Sequence, residues 1–234
     1  MKLDPEVTAY ILNVVNTCKI VDIQSVVIED GMVRGMNDDT TVVIFHDEDV
    51  IEQNHGAFGL TRLNELKARY DIASSCQNFS VEVIVKENED FVRSIIMKGK
   101  GTKVDYRCGK PDQIKAPRQI NDEMQAIVPL TEEAVNLLQK GASAMGSEFV
   151  SIISNDDGVS FELADVNNDV FKHTFADKAI AIDPESKIKF AHRYPIKTII
   201  AMFKQNMSGT FAVGAKGMLQ FPVNGLNLYL LPQV

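Results

Sequence analysis

A chain of 234 residues, 45% apolar and 24% charged, has a globular composition, which excludes a disordered or fibrous class. No run of about 18 apolar residues could span a bilayer, and the start MKLDPEVTAY lacks the apolar core of a signal peptide, so an intracellular protein with no membrane association is expected. The net charge of −8 disfavours indiscriminate nucleic-acid binding over the whole surface, and Cys18, Cys76 and Cys108, without metal-like spacing, read as reduced thiols.

Asp4 before Pro5 is an N-cap with proline at the first helical position, and Val7, Ile11, Val14, Val15 and Cys18 mark one face of a helix from Pro5 to Cys18. Ile20 to Ile28, Met32 to Met36 and Thr41 to Phe45 read as strands of an antiparallel meander turning at Asp30-Gly31. Leu60, Leu63, Leu66 and Tyr70 recur at helical intervals, with Arg62, Lys67 and Arg69 off that stripe. Those three bases against Glu65 give this second helix a local charge of +2. Phe79 to Val85, Phe91 to Met97 and Lys103 to Arg107 read as a second meander. Periodicity then vanishes from Gly109 to Ala126, where Pro111 and Pro117 mark an interdomain connection.

Thr131 caps a helix to about Ala144, with Glu132 and Glu133 in its first turn and Ala134, Leu137, Leu138 and Met145 on one face. Strands follow at Phe149 to Ile153, Val159 to Leu163, Val170 to Phe175 and Ile180 to Ile182. A helix from Pro195 to Asn206 turns Ile196, Ile199, Ile200 and Phe203 inward and leaves Lys197, Ala201 and Lys204 on its open face. Thr210 to Gly214, Met218 to Phe221 and Leu226 to Leu231 complete the strands.

The order helix, strands, helix, strands thus occurs twice. Asp4 and Thr131 lie 127 residues apart, as do Gly31 and Gly158, while Thr61 and Tyr194 are separated by 133. A domain-sized period excludes a solenoid, whose repeats run at roughly 20–50 residues. Two tandem α+β domains are expected at residues 1–108 and 129–234, joined by a connector at 109–128. Each would carry two helices on one face of antiparallel sheet. Both second helices expose bases and almost no acids.

Three stretches resemble the DNA polymerase sliding-clamp family. Gly31-Met32-Val33-Arg34-Gly35-Met36-Asn37-Asp38-Asp39-Thr40-Thr41-Val42-Val43 looks like the clamp strand that leads through Met-Asp and small polar residues into the next strand. Phe190-Ala191-His192-Arg193-Tyr194 is similar to the aromatic, basic and tyrosine segment entering the last helix of the proliferating cell nuclear antigen. Gly225-Leu226-Asn227-Leu228-Tyr229-Leu230-Leu231-Pro232-Gln233-Val234 resembles that family's terminal segment. Compact size also looks like the T4-type phage clamps, which implies a viral source and the cytoplasm of a bacterial host.

The resemblance implies antiparallel sheets outside and two helices per domain lining a ring around duplex DNA, with three two-domain chains closing it as a homotrimer. Sequence-independent phosphate contacts are expected from Lys19, Arg62, Lys67, Arg69, Lys140, Arg193, Lys197 and Lys204. The family's partner site, for peptide motifs of the polymerase and the clamp loader, maps onto Met36, Thr41, Tyr229, Pro232 and Val234, with Ile114, Ile120 and Ile127 from the connector. No catalytic residue, cofactor or metal is implied. One departure stands out: Arg107, Lys110, Lys115 and Arg118 against Asp112 make this connector +3, unlike the acidic connector of the cellular clamp, so acidic flanks on partners are expected.

Two other readings compete. A monomeric or heterotrimeric clamp-like polymerase accessory would share the fold without closing a homotrimer. A metal-dependent α+β enzyme would use His46-Asp47-Glu48-Asp49 with His55, although a solvated acidic loop explains that run. Asn155-Asp156-Asp157-Gly158 lacks the later ligands of a calcium loop and reads as a hairpin turn.

Overall fold

The computed structural model describes residues 1–29, 31–47, 56–182 and 188–233. Asp30, Glu48, Asp49, His55 and Val234 lie outside the described residues. The chain divides into two compact units, Met1–Gln119 and Ile120–Val234.

Unit 1 opens with α1, Pro5–Ile20, where the Asp4 carboxylate accepts the Glu6 N–H at 2.8 Å. Val7, Tyr10, Ile11, Val14, Val15 and Cys18 are buried. The strand expected from Ile20 begins later. The N–H groups of Val21 and Ile23 both donate to the Cys18 carbonyl, and Asp22 adopts a left-handed conformation, so Ile20 to Ile23 closes the helix and turns. The apolar alternation there belongs to a helix terminus and its core contact.

β1 (Ser25–Glu29), β2 (Met32–Met36), β3 (Val42–Asp47) and β4 (Ala57–Thr61) follow, with β1 between β2 and β4 and β3 beyond β2. Asn37 closes the β2–β3 turn, its Oδ1 accepting from the Thr41 and Val42 N–H groups at 2.9 Å each. α2 spans Leu63–Ser74. Leu60 and Thr61, expected on that helix, end β4 instead, and Arg62 turns from strand to helix in the left-handed region. Leu60, Leu63 and Leu66 are all buried, so apolar spacing alone did not separate the strand end from the helix start.

β5 (Ser80–Val85), β6 (Phe91–Gly99) and β7 (Thr102–Arg107) form an antiparallel set with β6 central. Met1 to Leu3 extend it, Leu3 N–H donating to the Val81 carbonyl and Val83 N–H to that of Met1. The sheet is not wholly antiparallel as expected: β4 meets β6 in parallel at Ala57 and Phe58. A 3-10 turn at Pro111–Gln113 follows.

Unit 2 repeats the plan. β8 (Met124–Pro129) occupies part of the expected connector and pairs with β14. α3 (Glu132–Met145) starts with the Thr131 hydroxyl accepting the Ala134 N–H and buries Ala134, Val135, Leu138 and Gly141, with Leu137 and Met145 only half-buried. β9 (Phe149–Asn155), β10 (Gly158–Ala164), β11 (Val170–Ala176), the short β12 (Ile180–Ala181) and β13 (Phe190–Pro195) precede α4, Ile196–Phe203. This last helix is shorter than expected and buries Met202 where Ile200 was expected. β14 (Thr210–Gly214), β15 (Leu219–Val223) and β16 (Leu226–Leu230) finish the unit.

The sheet orders are β11-β10-β9-β13 and β12-β8-β14-β15-β16. The first corresponds to β3-β2-β1-β4 of unit 1. In the second, β8-β14-β15-β16 corresponds to Met1–Leu3 with β5, β6 and β7. Leu3 and Leu130, 127 residues apart, are both buried. Among the described residues, β7 is paired only to β6 and β11 only to β10, so each unit ends in an open strand edge with unpaired backbone groups.

Candidate functional site: basic helix faces and an apolar sheet row

The expected basic positions separate into paired and unpaired groups. On α2, Lys67 Nζ contacts both Asp71 oxygens at 2.6 and 2.7 Å, and Arg69 and Arg62 both reach Glu65 Oε2, at 3.0 and 3.1 Å. The helix therefore carries two bases and two acids of its own. Asp71 was missed because the apolar stripe was read as ending at Tyr70, so the expectation of bases with almost no acids does not hold for this helix.

Tyr106 from β7 fixes the β4–α2 junction. Its hydroxyl accepts the Thr61 N–H at 2.9 Å and donates to the Thr61 carbonyl, and the Arg62 and Arg69 guanidinium groups lie over its ring at 5.8 and 5.9 Å. Burial pushes its phenol up to about 12, keeping it a neutral donor. Arg62 also donates to the Arg107 carbonyl.

Lys19 in the last turn of α1, Lys140 on α3, and Lys197 and Lys204 at the two ends of α4 are exposed. None of them makes an ion pair among the described residues. Arg193 lies on β13, one strand before α4, with its guanidinium 4.1 Å from the centre of the Phe149 ring. The cleanest source of unneutralised positive charge is α4, whose sequence contains no acid.

The expected partner residues fall on both units. In unit 1, Met36 ends β2 and Thr41 is bound by Asn37, whose Nδ2 donates to the Thr41 hydroxyl at 2.9 Å. Ile114 follows the 3-10 turn and lies against Gly59. In unit 2, strand register places Tyr229 opposite Gln220, Gln220 opposite Ala212, Ala212 opposite Ile127 and Ile127 opposite Ile180. These five side chains form one cross-strand row, because directly paired residues share a face. Alternation sends Leu228, Leu230, Phe221, Phe211 and Val128 to the other face, into the core.

Ile127 and Tyr229, expected on separate segments, thus belong to one surface. Ile180 and Ile182, 55% and 50% exposed, extend it and were not singled out as site residues. Their signal was two isoleucines on and just after a strand too short to bury them. Ile120 and Pro232 are half-buried, and the Gln233 N–H donates to the Arg193 carbonyl at 2.7 Å, fixing the tail beside β13. Asp122 anchors the 214–218 turn, its carboxylate accepting the Lys216 and Met218 N–H groups at 2.9 Å each.

No protein-family model matches the chain, and no curated protein sequence matches it. Solved structures do. The chain is similar to the A. fulgidus PCNA, solved with the C-terminal region of FEN-1 bound, at 15% identity and a TM-score of 0.62, covering 95% of this chain and 94% of that one. It is also similar to the proliferating cellular nuclear antigen of Entamoeba histolytica, at 16% identity and a TM-score of 0.59, covering 97% and 96%. The fold is the sliding-clamp fold. The α+β architecture is as expected.

His46, the centre of the competing metal reading, is buried on β3 opposite Val33. Among the described residues no group of three or more His, Cys, Asp and Glu side chains is placed to hold a metal. Among the same residues no helix is long and apolar enough to cross a membrane.

Proposed function

We propose that this protein is a DNA sliding clamp, a non-enzymatic homotrimeric ring that encircles duplex DNA and tethers a polymerase and other partners by peptide motifs. The observation that carries this reading is the clamp fold over 95% or more of the chain, built from two units of like strand order. Two clamp units per chain need three chains to supply six.

The open edges support closure. An edge from unit 1, β7, and a different edge from unit 2, β11, suit a head-to-tail contact in which the same two surfaces recur at every junction, and such a contact closes a ring when its rotation is a third of a turn.

A ring that slides must hold phosphates without reading bases, so dispersed lysines on helices suffice. Lys19, Lys140, Lys197 and Lys204 serve that role first. Lys67, Arg69 and Arg62 contribute less because Asp71 and Glu65 already neutralise them, and Arg193 is held on Phe149. A net charge of −8 keeps the rest of the surface repulsive to DNA. The row from Tyr229 to Ile180 serves as the partner surface, where an aromatic or aliphatic anchor of an extended peptide displaces water from exposed isoleucines. Ile120, Pro232 and Val234 are proposed to serve with it, and Met36, Thr41 and Ile114 to serve as partner contacts of unit 1.

The experiment is topological retention. Loaded on nicked circular DNA, the protein stays bound through a high-salt wash, and linearising the DNA releases it from the ends. Equal retention on linear and circular DNA rejects the encircling mode.

A further inference from the structure

The connector does not simply leave unit 1. Gly109 N–H donates to the Gly59 carbonyl at 2.8 Å, and a methyl group added at Gly59 would lie 2.3 Å from the Gly109 oxygen and 3.2 Å from Ile114 Cδ1. Glycine at position 59 therefore lets residues 109–118 cross closely over the sheet. The register puts Gly59 opposite Val27 and Val27 opposite Arg34, so the connector covers the face opposite the one that carries Val26, Ile28 and Val33 into the core.

Between connector and sheet runs a groove of about 640 Å³, within the size range of ligand sites. Arg34 forms part of its wall. Arg34 Nη2 is held by Glu29 at 2.7 Å, while its Nε–H is buried with no hydrogen-bond partner. A buried donor without an acceptor is costly, the more so when the group is charged. Lys110, Lys115 and Arg118 add three exposed cations, none ion-paired among the described residues. Phe91, Ile114 and Ala57 supply apolar wall between them.

We propose that this groove binds a carboxylate-rich peptide segment of a partner, seating one carboxylate on the Arg34 guanidinium edge and others on Lys110, Lys115 and Arg118. The wall also carries Glu29, Asp90 and Asp112. Four bases against three acids suit spaced single carboxylates interleaved with apolar residues, while the three acids disfavour a continuous polyphosphate. The site lies wholly in unit 1, so it stands whether or not the chain closes a ring on DNA.

The test uses the full chain and a fluorescein-labelled synthetic peptide alternating Glu with Leu, read by anisotropy, beside its Gln-for-Glu counterpart. The Glu peptide binds and the Gln peptide does not. Arg34→Gln weakens binding by about tenfold or more, and the surface variant Lys115→Ser with Arg118→Ser, which leaves the core untouched, weakens it severalfold. Lys100→Ser with Lys103→Ser removes equal charge outside the groove and leaves binding unchanged. Equal loss in that variant, equal binding of the Gln peptide, or displacement of the peptide by a short duplex DNA of matched charge would each overturn the assignment.

Discussion

In unit 1 the second helix neutralises its own bases, its preceding strand is bolted to β6 and Tyr106, and the outer face of one sheet lies under the connector. In unit 2 the second helix holds two lysines with no acid, its preceding strand pairs with β9 and carries the tail at Arg193, and an outer sheet row runs from the buried Tyr229 to the half-exposed Ile180. The same strand order thus supports two divisions of labour. The interior preserves the duplication, since both units need the same helix-on-sheet core, whereas the surface is free to diverge because solvated side chains cost little to exchange.

The largest effect belongs to that shared interior. Leu66 on α2 and Ile199 on α4 are 133 residues apart and both buried, so Leu66→Ala and Ile199→Ala should each cost about 2–5 kcal/mol in denaturant unfolding. A large loss for one and none for the other would break the equivalence of the cores.

Next come the tyrosines that hold each junction. Tyr106→Phe abandons both a backbone donor and an acceptor of Thr61, for about 1–3 kcal/mol. Tyr194→Phe abandons one, the Gly217 carbonyl at 2.6 Å, for about 1 kcal/mol. Urea midpoints in the reverse order would contradict the reading that unit 1 has the tighter strand-to-helix lock.

DNA affinity separates the helices. In Lys197→Ala with Lys204→Ala, the slope of log affinity against log salt should fall by roughly two, at about 0.9 per lost phosphate contact. Lys67→Ala with Arg69→Ala should lower it by less than half as much, because those bases are shared with Asp71 and Glu65. Equal slopes would erase the distinction between α2 and α4.

The smallest effect is a pH dependence confined to unit 2. Burial depresses the His192 imidazole below its ordinary value of 6.5, with nearby Asp122 opposing the shift. The unfolded chain then takes up a proton at a higher pH than the folded one, so this stability is present above pH 6.5 and is lost as pH falls through the folded value. His192→Gln should flatten the melting temperature over that window. An unchanged pH profile would remove the histidine from the account.

How far the sequence carried these differences depends on whether local chemistry or pairing decides them. The Asp4 and Thr131 caps were legible because a side-chain oxygen that accepts from the N–H two or three residues on is a local interaction. β4 was not, since Leu60, Leu63 and Leu66 satisfy a helical stripe across a strand end, and only the left-handed Arg62 marks the change. β8 was hidden in the connector because its partner, β14, lies more than 80 residues away in sequence. Site residues divided likewise: Lys197 and Lys204 could be placed from helical periodicity, whereas the union of Tyr229, Ile127 and Ile180 depends on four successive strand registers. Asp71, a single residue past the assumed helix end, changed the charge of α2.

Solution mass tests the central claim most directly. Light scattering across a concentration series should give three times the 26.0 kDa chain mass, held on dilution. A stable mass of one chain at all concentrations would contradict the homotrimeric ring and favour a monomeric accessory or one member of a mixed ring.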